Sequence, residues 1–257
     1  MIDGVAGEPF DAVSPGVAMS DDGGVVAYAA RKGATQWCVV GREKGPGFHH
    51  VGNPVVSADG SIVAYAAGDA EGASIVVNGA RGPRFRWVGN IVVKVGHVAY
   101  VAEDSEFRSF VVLDGKAGPA FERVTKPALA DGRVAYGARR NGEWRIVSGA
   151  GEVAAGGEVT SVFSDGERVG WVIEEQRLSR VAGGKPFDWI GWPSFDRRGR
   201  PVYFAERDRV KLLVVGDTEI VLGEWVIFDP AFSADGTRMT FGARIGRELW
   251  RKVIALP

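Results

Sequence analysis

Little in this sequence can hold a metal, a disulfide or a covalent intermediate. It has one cysteine, Cys38, so no internal disulfide forms. That cysteine sits in an apolar stretch, where it reads as a small buried hydrophobe rather than a nucleophile. There are three histidines in 257 residues. His49 and His50 are neighbours on a strand and point to opposite faces, and His97 falls in a turn. No H-x-x-x-H, C-x-x-C or D-x-D-x-D-G spacing exists, so neither metal nor cofactor is expected. No serine lies in G-x-S-x-G, which leaves the chain without a hydrolase nucleophile elbow, and no catalytic residue is assigned. No apolar run approaches the roughly 18 residues of a membrane span. A net charge of −1 lacks the basic balance that generic nucleic-acid binding requires. Met1-Ile2-Asp3-Gly4 shows no basic stretch leading into an apolar core, so the sequence reads as lacking a signal peptide. As it stands it reads as cytoplasmic, or as periplasmic or secreted where a leader has been removed.

What is present is repetition. Pro54-Val55-Val56-Ser57-Ala58-Asp59-Gly60-Ser61-Ile62-Val63-Ala64-Tyr65-Ala66-Ala67 recurs in near-copies to the C-terminus. Each copy reads as two strands around a tight turn. Asp accepts backbone N–H bonds there and Gly tolerates positive φ. The copies register on an aromatic that follows a small or aliphatic residue: Tyr28, Tyr65, Tyr100, Tyr136, Trp171, Tyr203 and Phe241. Successive spacings are 37, 35, 36, 35, 32 and 38 residues. Seven units of this length, Gly-rich at their turns, suit four short strands each. The expected fold is all-β: a seven-bladed β-propeller with four-stranded antiparallel blades, one domain over 1–257. Along Val63-Ala64-Tyr65-Ala66 one face carries the large residues and the other the small ones. A bulky face on one blade then fits a small face on the next, at a sheet spacing of about 10 Å.

The repeat resembles the TolB-like (PD40-type) family of bacterial propeller repeats, whose signature is close to P-x-[FW]-S-P-D-G-x-x-[ILV]-A-[FY]. Pro230-Ala231-Phe232-Ser233-Ala234-Asp235-Gly236-Thr237-Arg238-Met239-Thr240-Phe241 follows it, as does Pro54 to Tyr65, with Ala58 and Ala234 where the family has Pro. The resemblance implies the propeller fold and no particular activity. The name-giving protein has six blades and an extra N-terminal domain. Seven repeats and no such domain are read here, so its partners do not carry over.

In chain order, Asp3 to Val13 parallels Asp114 to Val124, the turn and outermost strand of a blade. The expectation is that Phe10 to Val13 pairs beside a C-terminal strand over Leu249–Leu256 and closes the ring, removing its exposed edges. Outer strands are expected at Phe48–Val51 and Phe85–Val88, with inner strands beginning near Ser14, Pro54, Ile91, Pro127, Ser161, Pro193 and Pro230. Asp59, Asp131, Asp165 and Asp235 are turn-formers. The Gly-Pro-x-Phe copies at 45–48, 82–85 and 118–121 are turn-plus-anchor devices. Trp37, Trp87, Trp144, Trp171 and Trp250 read as packing residues.

The candidate site comes from positions that break the repeat. Just before the inner strands stand Ser14, Asn53, Asn90, Lys126, Thr160, Trp192 and Asp229, almost all polar and varied from copy to copy, with only Asn occurring twice. By propeller geometry they ring one mouth of the central channel. Loops on the same face carry charge of alternating sign, from Arg31-Lys32 through Asp69 and Glu71 to Arg139-Arg140 and Glu206-Arg207-Asp208. Asn53, Asn90, Lys126, Trp192 and Asp229 are taken as the ligand-binding set. The indole of Trp192 would stack on a ligand, with Asp229 as acceptor. The expected function is a non-enzymatic scaffold that binds a protein or peptide on this face. The alternatives are a carbohydrate or small polar ligand at the channel mouth and, third, a propeller hydrolase or lactonase, for which Asp229 and Lys126 alone offer acid–base groups.

Overall fold

The turns set the fold. In the Ser-x-Asp-Gly copies the serine hydroxyl donates to the aspartate two residues on and accepts the N–H of the following strand. Ser57 Oγ stands 2.6 Å from Asp59 Oδ1 and 2.9 Å from the Ile62 nitrogen. Ser20–Asp22 and Ser233–Asp235 repeat the 2.6 Å contact. Gly60 takes φ +71° and its N–H bonds the Ser57 carbonyl. Asp165 accepts the N–H groups of Glu167 and Arg168, and Asp131 holds φ +48° ahead of Gly132. The turn-former reading thus holds at all four positions. Where repeat six loses its serine, Asp196 replaces both members: buried, it accepts the N–H groups of Arg198 and Arg200 and the Arg200 guanidinium. The next hairpins turn through two residues at positive φ, as at Asn78-Gly79 and Asp114-Gly115, the combination whose twist matches antiparallel strands.

The computed structural model describes residues 7–257 except 95, 223–224, 227–229 and 234. All regular elements among them are strands and turns, and no helix is long and apolar enough to cross a membrane. They gather into two compact units, Met1–Asn141 and Gly142–Pro257. In the first unit, repeats one to three are antiparallel meanders. Repeat one runs Ala12–Met19, Val26–Lys32, Thr35–Val40, Glu43–Phe48. Repeat two opens with two short pieces, His50–Val51 and Val55–Val56, both paired with Val63–Asp69, and continues through Gly72–Val77 to Ala80–Arg81. Repeat three follows as Trp87–Lys94, His97–Glu103, Ser109–Leu113, Lys116–Ala117. Arg123–Val124 and Ala128–Ala130 then pair with Arg133–Arg140. The second unit begins with the hairpin Glu143–Ser148/Gly151–Ala154. Three meanders follow, beginning at Glu158, Trp189 and Trp225, and the last ends in Arg238–Ile245 against Glu248–Ala255.

Three strand assignments need correction. Ala12 and Val13 pair with Arg31 and Ala30, so they lead the inner strand of repeat one and do not form the outer strand expected to close the ring. Likewise His50–Val51 and Trp87–Val88 pair with the second strands of repeats two and three, and so begin inner strands. The true outer strands, Glu43–Phe48 and Ala80–Arg81, come earlier. At its end the parallel between Asp3–Val13 and Asp114–Val124 holds, since Val13 faces Ala30 as Val124 faces Ala138; residues 3–6 lie outside the described residues. What the sequence hid is that the inner strands of repeats one to six run through a bulge that looks like a turn.

The alternation of large and small residues packs sheet on sheet. Tyr65, Val63 and Ala67 lie in one cluster with Ala27, Ala29 and Cys38 of repeat one, while Ala64 faces Tyr100, Phe110 and Val112 of repeat three. In the second unit Tyr203 and Ala205 meet Phe187 and Val172, and Phe204 meets Phe241 and Met239 on the other face. The Gly-Pro-x-Phe copies complete the joint. Phe85 exchanges two backbone hydrogen bonds with Ala73, and Phe121 does so with Ser109. Their rings meet the next tyrosines edge to face, at 6.5 Å for Phe85–Tyr100 and 6.2 Å for Phe121–Tyr136. The glycines are small for the same reason: a β-carbon at Gly118 would stand 3.5 Å from Tyr136 Oη and 3.2 Å from the Val111 carbonyl. A further copy, Gly184-Lys185-Pro186-Phe187, escapes the motif because its proline is one place later, yet Phe187 bonds Ser179 the same way.

The turn carboxylates give these joints a pH dependence. Hydroxyl and backbone donors, led by Ser20, Ser57 and Ser233, hold Asp22, Asp59 and Asp235 below the usual carboxylate range. Burial raises the Asp196 carboxyl, but the Arg200 N–H and guanidinium more than offset it, so it too is lowered. Groups that titrate lower in the folded chain stabilise it fully above the unfolded pKa, and that contribution is lost as pH falls from there through the folded pKa. The melting temperature is therefore expected to fall below about pH 4, and less steeply in Asp59→Asn. A thermal scan at stepped pH checks this; parallel curves for the two proteins would contradict it.

Candidate functional site

The positions that differ between repeats share one structural place. Each described one sits at an irregularity inside an inner strand, where that strand carries more residues than its partner opposes. The register shifts between Val13 and Val17, Gly89 and Val92, Val159 and Ser161, and Gly191 and Ser194. Ser14, Asn90, Thr160 and Trp192 fall in those gaps. Asn53 and Lys126 lie between the two short pieces of their inner strands. They are thus bulge residues within the strand, not residues before it. A bulge leaves its extra residue unpaired and re-aims its side chain. Asn90 and Trp192 take φ of +52° and +49°, a region that costs non-glycine residues energy and is common at functional positions. Asp229 lies outside the described residues.

In the first unit, Ser14 and Asn53 meet. Ser14 Oγ donates to Asn53 Oδ1 and accepts the Gly16 N–H at 3.1 Å. A β-carbon at Gly16 would come within 2.6 Å of Asn53 Nδ2, so Gly16 makes room for the amide. Asn90 and Lys126 are exposed. Thr125, next to Lys126, stitches the bulge with its Oγ1 accepting the Gly137 N–H at 2.9 Å.

In the second unit, Trp192 is half-buried. It packs against the cluster of Phe204, Val215 and Phe241, with edge-to-face contacts of 5.9 Å to Phe204 and 5.7 Å to Trp189. Trp189 is the residue that the repeat pattern does not reveal. It is 43% exposed, and its ring lies so close over Gly191 that a β-carbon there would stand 2.2 Å from it. Trp87 lies over Gly89 in the same way in the first unit and is 44% exposed. The readable signal is Trp-x-Gly at an inner-strand bulge. Trp87 and Trp250 are thus surface residues rather than packing ones.

The alternating loop charges are largely spent on neighbours. Asp69 accepts from Arg81 at 2.9 Å, Asp104 from Arg108 at 2.9 Å, and Glu206 pairs with Lys211. Arg140 and Arg207 lie over the rings of Phe121 and Phe187, at 4.5 and 4.4 Å. His97 opens a strand rather than a turn, with Nδ1 2.7 Å from Asp114 Oδ2. Burial pushes the Cys38 thiol up to about 12, so it is not a thiolate.

No family model matches the chain, and no curated protein matches it. Solved structures do. The propeller of Dos1 is 9% identical, with a TM-score of 0.53 over 92% of this chain and 77% of that one. The acylaminoacyl peptidase of Pyrococcus horikoshii is 13% identical, with a TM-score of 0.51 over 95% of this chain and 52% of that one; the chain spans about half of that peptidase. TolB of Acinetobacter baumannii is 12% identical, with a TM-score of 0.42 over 93% and 60% of the two chains. At these identities the likeness is one of fold: an all-β chain of antiparallel meanders, similar to the β-propeller proteins.

Proposed function

We propose that residues 1–257 form one seven-bladed propeller of TolB-like repeats that binds a protein or peptide on the face formed by the inner-strand bulges and catalyses no reaction. The observation that carries this reading is the variable bulge. Residues that only join blades, such as the Ala-Tyr pairs and the glycines under the tyrosines, stay nearly alike from repeat to repeat. The bulge positions do not: Asn53 and Asn90 share a residue type, but Lys126 and Trp192 depart from it although an inner-strand bulge recurs, and Asn90 and Trp192 are held at positive φ. Asp229 completes the proposed set. A carbohydrate or small polar ligand is the second reading, and the exposed indoles of Trp87 and Trp189 favour it, since a flat exposed ring with one N–H suits a sugar face.

A displayed peptide library and a glycan array, each probed with the wild-type chain and with Asn90→Ala/Trp192→Ala, test both readings. Peptide ligands are expected, and the double variant should lose roughly thirtyfold in affinity or more, as truncation of an aromatic hot spot does. Its fold should persist by circular dichroism. Glycan ligands lost in the same variant would select the second reading. Ligands whose affinity the variant leaves unchanged would move the site off this face.

A further inference from the structure

A separate cavity opens between repeats one and two, within the first unit. It measures about 260 Å³ and is walled by Cys38, Val40 and Val63, with Tyr65 in its lining. Tyr65 is 3% exposed, and its Oη is the buried side-chain polar atom with no hydrogen-bond partner among the described residues. Burying a hydroxyl without a partner is costly; Tyr65 and Gly45 both line the cavity, and a β-carbon at Gly45 would stand 3.1 Å from Oη, so the unsatisfied hydroxyl lies beside the cavity where an acceptor would satisfy it. We propose that this cavity binds a small neutral molecule, apolar over most of its surface, whose single carbonyl or ether oxygen accepts a hydrogen bond from Tyr65 Oη.

The cavity has a cause in the repeat. Cys38 stands where repeats two, three and six place Ile75, Val111 and Leu213: each precedes the valine that pairs with the registered tyrosine, Val39, Val76, Val112 and Val214. These residues face the next sheet, as Cys38 faces Tyr65 and Ile75 faces Tyr100. The smaller side chain of Cys38 leaves space beside the phenol.

The chemistry of the walls selects the ligand. Asn78 is spent, its Oδ1 accepting the Val63 N–H at 2.8 Å and its Nδ2 donating to the Ser61 carbonyl at 2.9 Å. Lys44 at the rim is tied to Glu8 at 2.7 Å and lies over the Trp37 ring. Glu43 shares the rim and opposes an anion. Burial keeps both the phenol and the thiol protonated, so the interior offers one strong neutral donor, the phenol, beside a weakly donating thiol and a mostly apolar surface. A six-carbon ring occupies an apolar cavity of about 150 Å³, so a ring with one oxygen fits.

Cyclohexanone and its carbon analogue methylenecyclohexane are the probes, with binding followed by saturation-transfer NMR and titration. Cyclohexanone should bind the wild-type chain more tightly than methylenecyclohexane. Tyr65→Phe should weaken cyclohexanone about five- to tenfold, leave methylenecyclohexane unchanged and not lower the melting temperature. Cys38→Ile, which installs the residue of repeat two, should abolish binding of both. Gly45→Ala serves if that variant misfolds, because its methyl would stand 3.1 Å from Tyr65 Oη and should weaken cyclohexanone alone. The proposal is overturned if cyclohexanone shows no binding tighter than roughly 10 mM, if the two probes bind equally, or if Cys38→Ile retains binding. It is also overturned if Tyr65→Phe is destabilised with probe binding unchanged, since the hydroxyl would then serve a bound water.

Discussion

Tyr65→Ala is expected to lower the unfolding free energy by about 3–5 kcal/mol, the usual cost of truncating a buried aromatic. Its ring fills the joint between repeats one and two, packing on Ala27, Ala29 and Cys38. The neighbouring change runs the opposite way. Ala64 is fully buried against the large residues of repeat three, so Ala64→Leu should destabilise by about 1–3 kcal/mol through overpacking. Urea denaturation measures both. The pair is diagnostic because adjacent residues fail for opposite reasons, one by leaving a hole and one by filling space already taken. Near-neutral values at both positions would mean that these strands face solvent and that the large/small alternation is not a packing device.

Phe187→Ala should cost a similar amount, about 3–5 kcal/mol. Phe187 is 1% exposed. It meets Tyr203 edge to face at 5.9 Å, and the Arg207 guanidinium lies 4.4 Å from its ring centre. Arg207 is itself fixed by two hydrogen bonds to Glu219, each of 3.0 Å. Truncation therefore removes a ring contact worth roughly 0.5–1.5 kcal/mol beyond its area and leaves the guanidinium over a void. Phe187→Leu keeps most of the volume and should recover more than half of the loss. A leucine variant as unstable as the alanine one would place the energy in the aromatic contacts alone.

The fold was readable where a residue type answers to one local requirement. Ser57, Asp59 and Gly60 each have a single job in their turn, and Tyr65 and Ala64 differ in size because the two faces of one strand meet different neighbours. The inner strands were not readable, because a bulge uses the residues of a turn: Gly52-Asn53-Pro54 and Gly89-Asn90 interrupt the apolar pattern although pairing resumes beyond them. Residues 12–13 were misplaced for the same reason. The site was half legible. Departure from the repeat singled out Asn53, Asn90, Lys126 and Trp192, and they share the bulge. Nothing in their spacing showed that Ser14 engages Asn53, or that the rings of Trp87 and Trp189 fold over glycines and stay exposed. Those are contacts of side chains across a bulge, and bulge geometry is set by the partner strand.

The central proposal is that a partner meets the inner-strand bulges and not the turns of the outer strands. Site-specific photo-crosslinking in the cells that make the protein tests it most directly. A photoreactive residue is placed singly at Asn90, Lys126 and Trp192, and at Asp217 in the exposed turn before the outer strand Thr218–Val221 as the control. The account expects discrete adducts from the three bulge positions and none from Asp217. Adducts from Asp217 with none from the bulges would contradict it.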